Sequence, residues 1–265
     1  MRGGPQEEMA RWRPRYSGSM ETRILGCGEA FDERLPNTSI LVDCGELLLL
    51  DCGFSVPPQV WEAVPDPDRI DAVYISHPHA DHYFGLPALL TRMWEDNRTR
   101  PLVIVSQPAV LEMIPRQIEL AYQGIAARFR FPVEYRAAEP GKPLALGHAT
   151  LHFAATKHAA VNYAVRVESG GKSVCYSGDG MFSDASRKLF SGTDLLFHEA
   201  YSFENSSTHG EIGAVMEMAA AERVRRLGLV HINRKVRRES DDLIEVVREG
   251  GAAVLLPEPG SRYEV

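Results

Sequence analysis

The chain alternates between short apolar runs and stretches whose apolar residues recur every three or four positions. Short runs bounded by Gly, Pro and Asp are typical of strands, and the longer period is typical of amphipathic helices. These patterns predict strands at 21–26, 38–43, 46–51, 71–76, 102–106, 131–136, 149–155, 162–168, 172–177, 194–198, 228–231 and 252–256. They predict helices at 57–64, 83–95, 108–121, 209–226 and 241–249.

The start of the fourth helix carries a recognisable signal. Thr208 is followed three residues later by Glu211, which is the pattern of a capping box and predicts that this helix opens at His209. Mixed strands and helices in this order favour an α+β fold, a four-layer αββα sandwich in which loops along one edge of the paired sheets are free for function.

A dense group of candidate ligands follows the apolar run 71–76. His77, His79, Asp81 and His82 stand within six residues, as HPHADH. Imidazole and carboxylate are ligands that zinc, iron and manganese accept, and no thiolate is present to close a structural zinc site. Alternation along an extended loop predicts that His77, His79 and Asp81 point one way and His82 another. The segment is therefore interpreted as a metal-binding loop that serves two ions.

Further candidate ligands stand at the ends of other predicted strands. His158 follows 149–155, Asp179 follows 172–177 in the sequence SGDG, and His231 ends 228–231. Each alone is typical of a cap or a hydrogen-bonded loop residue. Together with the loop they make five histidines and two aspartates, which is enough for two adjacent ions that share a carboxylate.

Length and composition favour one domain. The chain has 265 residues, of which 44% are hydrophobic, and we expect a single domain over 20–265. Residues 1–19 are polar and Arg-rich, outside the periodic pattern, and are predicted to form a disordered extension. No apolar run approaches the roughly 20 residues of a membrane span, and no secretory signal is evident, so we expect a cytoplasmic protein without a membrane partner. The cysteines are interpreted as reduced core thiols: Cys27, Cys44, Cys52 and Cys175.

The seven candidate ligands resemble those of the metallo-β-lactamase superfamily, whose HxHxDH signature matches 77–82. Within it, the chain is similar to ribonuclease Z and related phosphodiesterases. The segment 163–179 resembles their hairpin before a bridging aspartate. FHEA at 197–200 resembles their His-Glu-Ala-Thr motif, with Tyr201 where Thr is usual, and Thr208–His209 resembles their His-Ser-Thr segment.

This resemblance implies a partition of the ligands and a catalytic role for three residues. It places His77, His79 and His158 on one metal, and Asp81, His82 and His231 on the other, with Asp179 bridging. Two ions about 4 Å apart lower the pKa of a shared water, and the resulting hydroxide attacks a phosphoryl or carbonyl group. Zinc is the expected divalent metal, with manganese and iron left open. The catalytic residues implied are Asp81, which also holds the hydroxide, and a Glu199–His209 pair that protonates the leaving alkoxide or steadies the scissile phosphate.

The departures from ribonuclease Z concern the substrate. The segment between His158 and Asp179 is too short for the long arm with which that enzyme grips tRNA. The net charge of −7 gives no general attraction for a polyanion. A basic run near His231 could meet phosphate or could be a solvated face: Arg223, Arg225, Arg226, Arg234, Lys235, Arg237 and Arg238.

We therefore expect a phosphodiesterase for a small or nucleotide phosphodiester, with RNA as a less favoured substrate and a homodimer left open. A carbonyl-ester or amide hydrolase on the same scaffold, such as a lactonase, a thioesterase or a β-lactamase, remains the alternative. A non-catalytic metal-binding protein is disfavoured because all seven ligands are present.

Overall fold

Within the residues that the structure describes, the first of two mixed sheets contains seven strands. The computed structural model describes residues 19–250 and 253–265. The strands of this sheet are β1 (Glu21–Gly26), β2 (Ser39–Asp43), β3 (Leu47–Leu50), β4 (Ala72–Ile75), β5 (Leu102–Ser106), β6 (Val133–Ala137) and β14 (Arg262–Glu264). Their order is β14-β1-β2-β3-β4-β5-β6, antiparallel from β14 to β3 and parallel from β3 to β6.

The second sheet also has seven strands. They are β7 (Leu144–Leu146), β8 (Ala149–Ala155), β9 (Tyr163–Ser169), β10 (Lys172–Tyr176), β11 (Leu195–Glu199), β12 (Leu227–Val230) and β13 (Val254–Leu255). Their order is β13-β12-β11-β10-β9-β8-β7, antiparallel from β7 to β10 and parallel from β10 to β13.

Helices cover the outer faces of both sheets. They are α1 (Pro57–Ala63), α2 (Ala80–Tyr83), α3 (Leu86–Glu95), α4 (Pro108–Ala121), α5 (Asp184–Phe190), α6 (Ile212–Ala221), α7 (Arg234–Glu239) and α8 (Asp241–Gly250). Apolar side chains of α1, α3 and α4 pack on the first sheet, and those of α5, α6 and α8 pack on the second. None of the helices in the described part of the chain combines the length and the apolar character that a membrane span requires.

Strand β4 shows how the layers are held together. Ala72 and Tyr74 face the core between the sheets, whereas Val73 and Ile75 face the helices on the outside. A strand buried on both faces reads as a continuous apolar run, which is the pattern at 71–76. The ring of Tyr74 stacks on Phe153 of the opposite sheet, with 5.8 Å between centroids. The four-layer αββα sandwich expected from the sequence is confirmed.

The structure adds elements that the sequence patterns did not predict, namely β7, β14, α2, α5 and α7. Two of the expected segments reach beyond the described residues: 1–18 of the N-terminal extension, and residue 252 of the last predicted strand. The parallel strands of both sheets end at the same edge of the sandwich, and the candidate ligands lie on the loops that leave this edge.

The predicted start of the helix at His209 is wrong. Helix α6 begins at Ile212, its N-cap is Glu211, and no side chain caps it. Residues 208–211 instead lie outside the helix, because backbone bonds tie this segment to the chain after β11: the N–H of Tyr201 donates to the Gly210 carbonyl at 2.8 Å, and the N–H of Ile212 donates to the Ser202 carbonyl at 2.9 Å. The helix ends at Ala221, before Arg223 adopts a positive φ of 57°.

Candidate metal centre

The seven candidate ligands meet in two overlapping groups, in each of which the ligand atoms lie within 4.8 Å of one another. The first group is His77, His79, His158 and Asp179. The second group is Asp81, His82, Asp179 and His231. Residues distant in sequence are brought together because β4, β8, β10 and β12 all end at this edge.

Asp179 belongs to both groups. Its Oδ1 lies 3.3 Å from His82 Nε2, and its Oδ2 lies 3.5 Å from His231 Nε2 and 3.8 Å from His77 Nε2. The buried side chain of Asn162 fixes the backbone here, since its amide donates to the Asp179 carbonyl at 2.7 Å. No pattern of residues around Asn162 indicates this role. A carboxylate placed between two sets of imidazoles has the geometry that a bridging ligand needs.

Asp81 points towards the second group, so the alternation expected along the loop is wrong. The loop is not extended after His79, because that residue is the N-cap of helix α2. With 3.6 residues per turn, neighbouring side chains of a helix do not face opposite sides. Asp81 and His82 can therefore share one group, and Asp81 Oδ2 lies 3.2 Å from the Nε2 atoms of both His82 and His231.

The residues present fit a metal. Three of the ligand atoms are buried without a hydrogen-bond partner among the described residues: His77 Nε2, His82 Nε2 and Asp179 Oδ1. Buried polar atoms left unpaired are costly, on the order of 1–3 kcal/mol each. Nitrogen and carboxylate donors converging from both sides would satisfy these atoms on a divalent cation such as Zn²⁺, Mn²⁺ or Fe²⁺.

In three of the five histidines the other ring nitrogen is held by the protein. His82 Nδ1 lies 2.7 Å from Asp51 Oδ2, and His77 Nδ1 lies 3.0 Å from Ser76 Oγ. His158 Nδ1 donates to the Thr208 carbonyl at 2.8 Å. Bonds of this kind orient an imidazole and leave its Nε2 free to coordinate.

The electrostatics of the cluster keep its carboxylates charged. Burial holds the pKa of His77 well below its ordinary value. Burial also opposes charge on His82, but Asp179 and Asp81 outweigh it and raise the His82 pKa well above its ordinary value. Burial also disfavours a charged Asp179. The positive charges of His231 and His82 outweigh this effect and hold the Asp179 pKa well below its ordinary value. The charged carboxylate is the form that binds a cation.

Glu199 and His209 form a third group with Asp179. Glu199 is fully buried at the end of β11; its Oε1 bonds His209 Nδ1, and its Oε2 accepts from the Gly180 N–H. The bond to Glu199 raises the pKa of His209 above its ordinary value, against the effect of burial. The His209 side chain is 30% exposed, so this imidazole can meet a substrate.

Most of the basic run beside His231 is already paired. Arg234 pairs with Glu29 at 2.5 Å, and Arg238 pairs with Asp32 and Glu33, each at 2.5 Å. The remaining ion pairs join Arg225 to Asp194 and Arg237 to Glu258. The sequence leaves open two interpretations of this basic run, a patch that meets phosphate and a solvated face. These contacts favour the solvated face, because most of its side chains are paired.

Comparison with known proteins places the chain in a family. The family model of the anti-Pycsar protein Apyc1 matches residues 20–251. The chain belongs to the Apyc1 family. It is also similar to ribonuclease Z of Methanothermobacter thermautotrophicus, with 24% identity over 282 residues that cover 87% of this chain and 92% of that enzyme.

Solved structures confirm the metallo-β-lactamase fold of this Apyc1 family member. YhfI of Bacillus subtilis superposes with a TM-score of 0.77 at 23% identity, covering 93% of this chain and all of YhfI. A diphosphatase of the PhnP family superposes with a TM-score of 0.73 at 21% identity, covering 93% and 98% of the two chains. The chain is thus a metallohydrolase of this fold, related to ribonuclease Z, with a buried His/Asp site.

Proposed function

We propose that the protein is a metal-dependent phosphodiesterase whose substrate is a small phosphodiester, namely a cyclic nucleotide. The observation that carries the proposal is the Glu199–His209 pair beside Asp179, the residue shared by both ligand groups. A phosphodiester with an alkoxide leaving group needs a proton donor at that place, and membership of the Apyc1 family supports a cyclic nucleotide as the substrate.

The two ligand groups would each hold one divalent cation, with Asp179 between them. Bound there, the cations supply charge neutralisation at the phosphoryl group and lower the pKa of a water molecule. Zinc is the metal that we expect, since histidine nitrogen and carboxylate oxygen are both among its protein ligands.

The protein's own residues supply orientation and proton transfer. Asp81 Oδ2, 3.2 Å from His82 and His231, accepts a hydrogen bond from the attacking water and directs its lone pair at phosphorus. His209 donates a proton from Nε2 to the leaving oxygen. Glu199 bonds the other nitrogen, Nδ1, which fixes the ring and favours its protonated form.

A small substrate suits the surroundings of the site better than a polynucleotide. The arginines nearest to His231 are engaged by carboxylates, so little free positive charge is offered to an RNA backbone. Strands β9 and β10 fill most of the segment between His158 and Asp179 and are joined by a tight turn at Gly170 and Gly171, which leaves no room there for an RNA-gripping arm. Exposed phenylalanines stand on the neighbouring loops, among them Phe54 and Phe84, and such rings suit a base.

A substrate panel with metal-replete protein tests the proposal. The panel contains 3′,5′-cyclic nucleotides with each of the four RNA bases, bis-p-nitrophenyl phosphate, pre-tRNA, a lactone, a thioester and nitrocefin. We expect turnover of cyclic nucleotides to linear monophosphates, monitored by chromatography. Turnover of the lactone, the thioester or nitrocefin without any phosphodiester would replace this function by the carbonyl-hydrolase alternative. Cleavage of pre-tRNA in preference to cyclic nucleotides would overturn the substrate class alone.

A further inference from the structure

We propose that Tyr201 is a positioning residue that holds the imidazole of His209 for proton delivery, an inference that depends on the function proposed above. The two rings are stacked, with 4.7 Å between centroids and 27° between planes. Strand β11 ends at Glu199, and Tyr201 follows two positions later. The same strand therefore positions both Glu199, which bonds His209, and the ring that covers His209. Tyr201 is not part of either ligand group.

His209 is restrained on three sides. Its Nδ1 bonds Glu199 Oε1, and its ring meets that of His158 edge to face at 5.3 Å. The ring of Tyr201 covers one face. A hydrogen bond at Nδ1 alone would leave the imidazole free to swing about that bond. Stacking removes this freedom and leaves Nε2 as the atom that faces a substrate.

Tyr201 is itself well anchored. Its hydroxyl accepts a hydrogen bond from the Asn233 amide at 3.0 Å, and the Asn233 N–H donates to the Tyr201 carbonyl at 2.8 Å. The Tyr201 N–H donates to the Gly210 carbonyl at 2.8 Å, one residue beyond His209. Asn233 also caps α7 by accepting from the Lys235 N–H at 3.0 Å. The ring therefore has one fixed position between the segments that carry His209 and His231.

The residue type at position 201 agrees with a specific role. Threonine is usual at this position in the resembling ribonuclease Z motif, and a threonine has no ring to stack on an imidazole. In this chain the aromatic ring of Tyr201 covers one face of His209, a contact that a small side chain cannot make. The hydroxyl serves to hold the ring, so the ring rather than the hydroxyl is the part that acts on His209.

The test compares Tyr201→Phe and Tyr201→Thr on two substrates. One is a 3′,5′-cyclic nucleotide, whose leaving group is an alkoxide, and the other is bis-p-nitrophenyl phosphate, whose leaving group departs without a proton. We expect Tyr201→Thr to lower kcat on the cyclic nucleotide by about 10-fold to 100-fold with KM nearly unchanged, since small misplacements of a reacting group carry such losses. The loss on the nitrophenyl ester should be under about threefold by the same reasoning.

The conservative variant separates ring from hydroxyl. Tyr201→Phe keeps the ring and should retain kcat on both substrates within about threefold. The matched control is Tyr135→Thr, which removes an exposed tyrosine from β6, away from the ligand edge. Elemental analysis should give the same metal content in all variants. If Tyr201→Thr does not fold, as judged by circular dichroism, Tyr201→Leu keeps an apolar side chain and still removes the ring.

Three results would overturn the inference. The first is that Tyr201→Thr lowers kcat equally on both substrates, and the second is that Tyr201→Phe lowers kcat as much as Tyr201→Thr does. The third is that Tyr201→Thr changes KM alone. His209→Ala, measured on the same two substrates, identifies what has failed. If His209→Ala is selective for the alkoxide substrate and Tyr201→Thr is not, the positioning role is wrong. If His209→Ala shows no such selectivity, the proton-transfer role in the proposed function is itself wrong.

Discussion

The carboxylate of Asp51 accepts a hydrogen bond of 2.7 Å from Nδ1 of His82. The same carboxylate accepts from the N–H and hydroxyl of Ser76, both at 2.7 Å, and from the Tyr176 hydroxyl at 2.8 Å. It is completely buried and stands at a positive φ of 58°, a strained conformation for a residue other than glycine. Asp51 thus joins the end of β4, the second sheet and one candidate ligand, and it belongs to neither ligand group itself.

Asp51→Asn should weaken metal binding. An asparagine has the same shape, but its NH₂ group would face donors, so at least one bond to His82, Ser76 or Tyr176 is lost. We expect metal affinity to fall about 10-fold to 100-fold, as for other residues that orient a metal-ligating histidine. Competition with a chromogenic chelator measures it. The control is Asp43→Asn, a buried aspartate that pairs with Arg69 on the opposite end of the sheet. Equal affinity in Asp51→Asn and wild type would contradict the role.

Asp179 should affect two ions and His231 one. Because Asp179 belongs to both ligand groups whereas His231 belongs to one, wild type should bind close to two divalent ions per chain. The Asp179→Ala variant should bind much less of both ions, whereas the His231→Ala variant should fail to bind mainly one of them. Elemental analysis after reconstitution measures the content. Full occupancy in Asp179→Ala, or no metal in wild type, would exclude a dinuclear site.

Removing His209 should affect the reaction according to the leaving group. His209→Ala should lower the rate on a cyclic nucleotide by about 10²–10⁴-fold, the usual range for a general acid. The loss on bis-p-nitrophenyl phosphate should be much smaller. Metal content should not change, and Glu199→Gln should act in the same direction because Glu199 orients the ring. His152→Ala is the matched control, since His152 lies on β8 and faces Glu168 at 3.4 Å. Equal losses on both esters would make His209 a substrate-binding residue.

Two segments show which parts of this centre can be predicted from the sequence and which cannot. The run 71–76 predicts β4 and the ligand loop after it, because a strand buried on both faces is recognisable from its own residues. The residues 208–211 mislead, because the capping-box pattern is local while the contact that ties Gly210 to the chain after β11 comes from Tyr201. The pairing of Tyr201 with His209 could not be read from spacing, since it depends on how β11 and the loop after it fold back.

Elements with few apolar residues cannot be predicted from the sequence for a related reason. Helix α7 contains one apolar residue, Val236, so periodicity gives no signal for it. The helix is held instead by its Asn233 cap and by Arg237, which donates to the Pro257 carbonyl at 2.6 Å. Such contacts exist only once the chain has folded.

Phe54 and Phe84 should contribute to binding of the base. Both side chains are about half exposed, at 51% and 50%. Their loops are packed together beside the second ligand group: a Cβ at Gly53 would meet the Asp81 carbonyl, and one at Gly85 would meet the Gly53 carbonyl. Stacking of a base on an aromatic ring is worth about 1–3 kcal/mol.

Phe54→Ala and Phe84→Ala should therefore raise KM for a cyclic nucleotide by about 5-fold or more. Activity on ribose 3′,5′-cyclic phosphate, which lacks the base, should not change. Leu120→Ala is the control, because Leu120 is 89% exposed on α4. An equal effect on the substrate with and without the base would show that these rings do not contact the base.

The four cysteines should be unreactive in the folded protein. All are free and buried, and burial raises the thiol pKa to about 12 in Cys27, about 12 in Cys44 and about 11 in Cys175. At pH 8 we expect no reaction with Ellman's reagent under native conditions and four thiols per chain in guanidinium chloride, because only the thiolate reacts.

The same pKa shifts predict alkaline destabilisation. Unfolded thiols ionise near pH 8.5, whereas the buried thiols stay protonated up to about pH 11 or above. Between these values the unfolded chain binds fewer protons than the folded one, so the free energy of unfolding falls as pH rises and is unaffected by these groups below pH 8 or so. Urea unfolding at pH 8 and pH 10 measures the loss, and Cys27→Ala should show a smaller loss than wild type. An identical pH dependence in the two proteins would show that the Cys27 thiol already ionises in the folded state at its ordinary pKa.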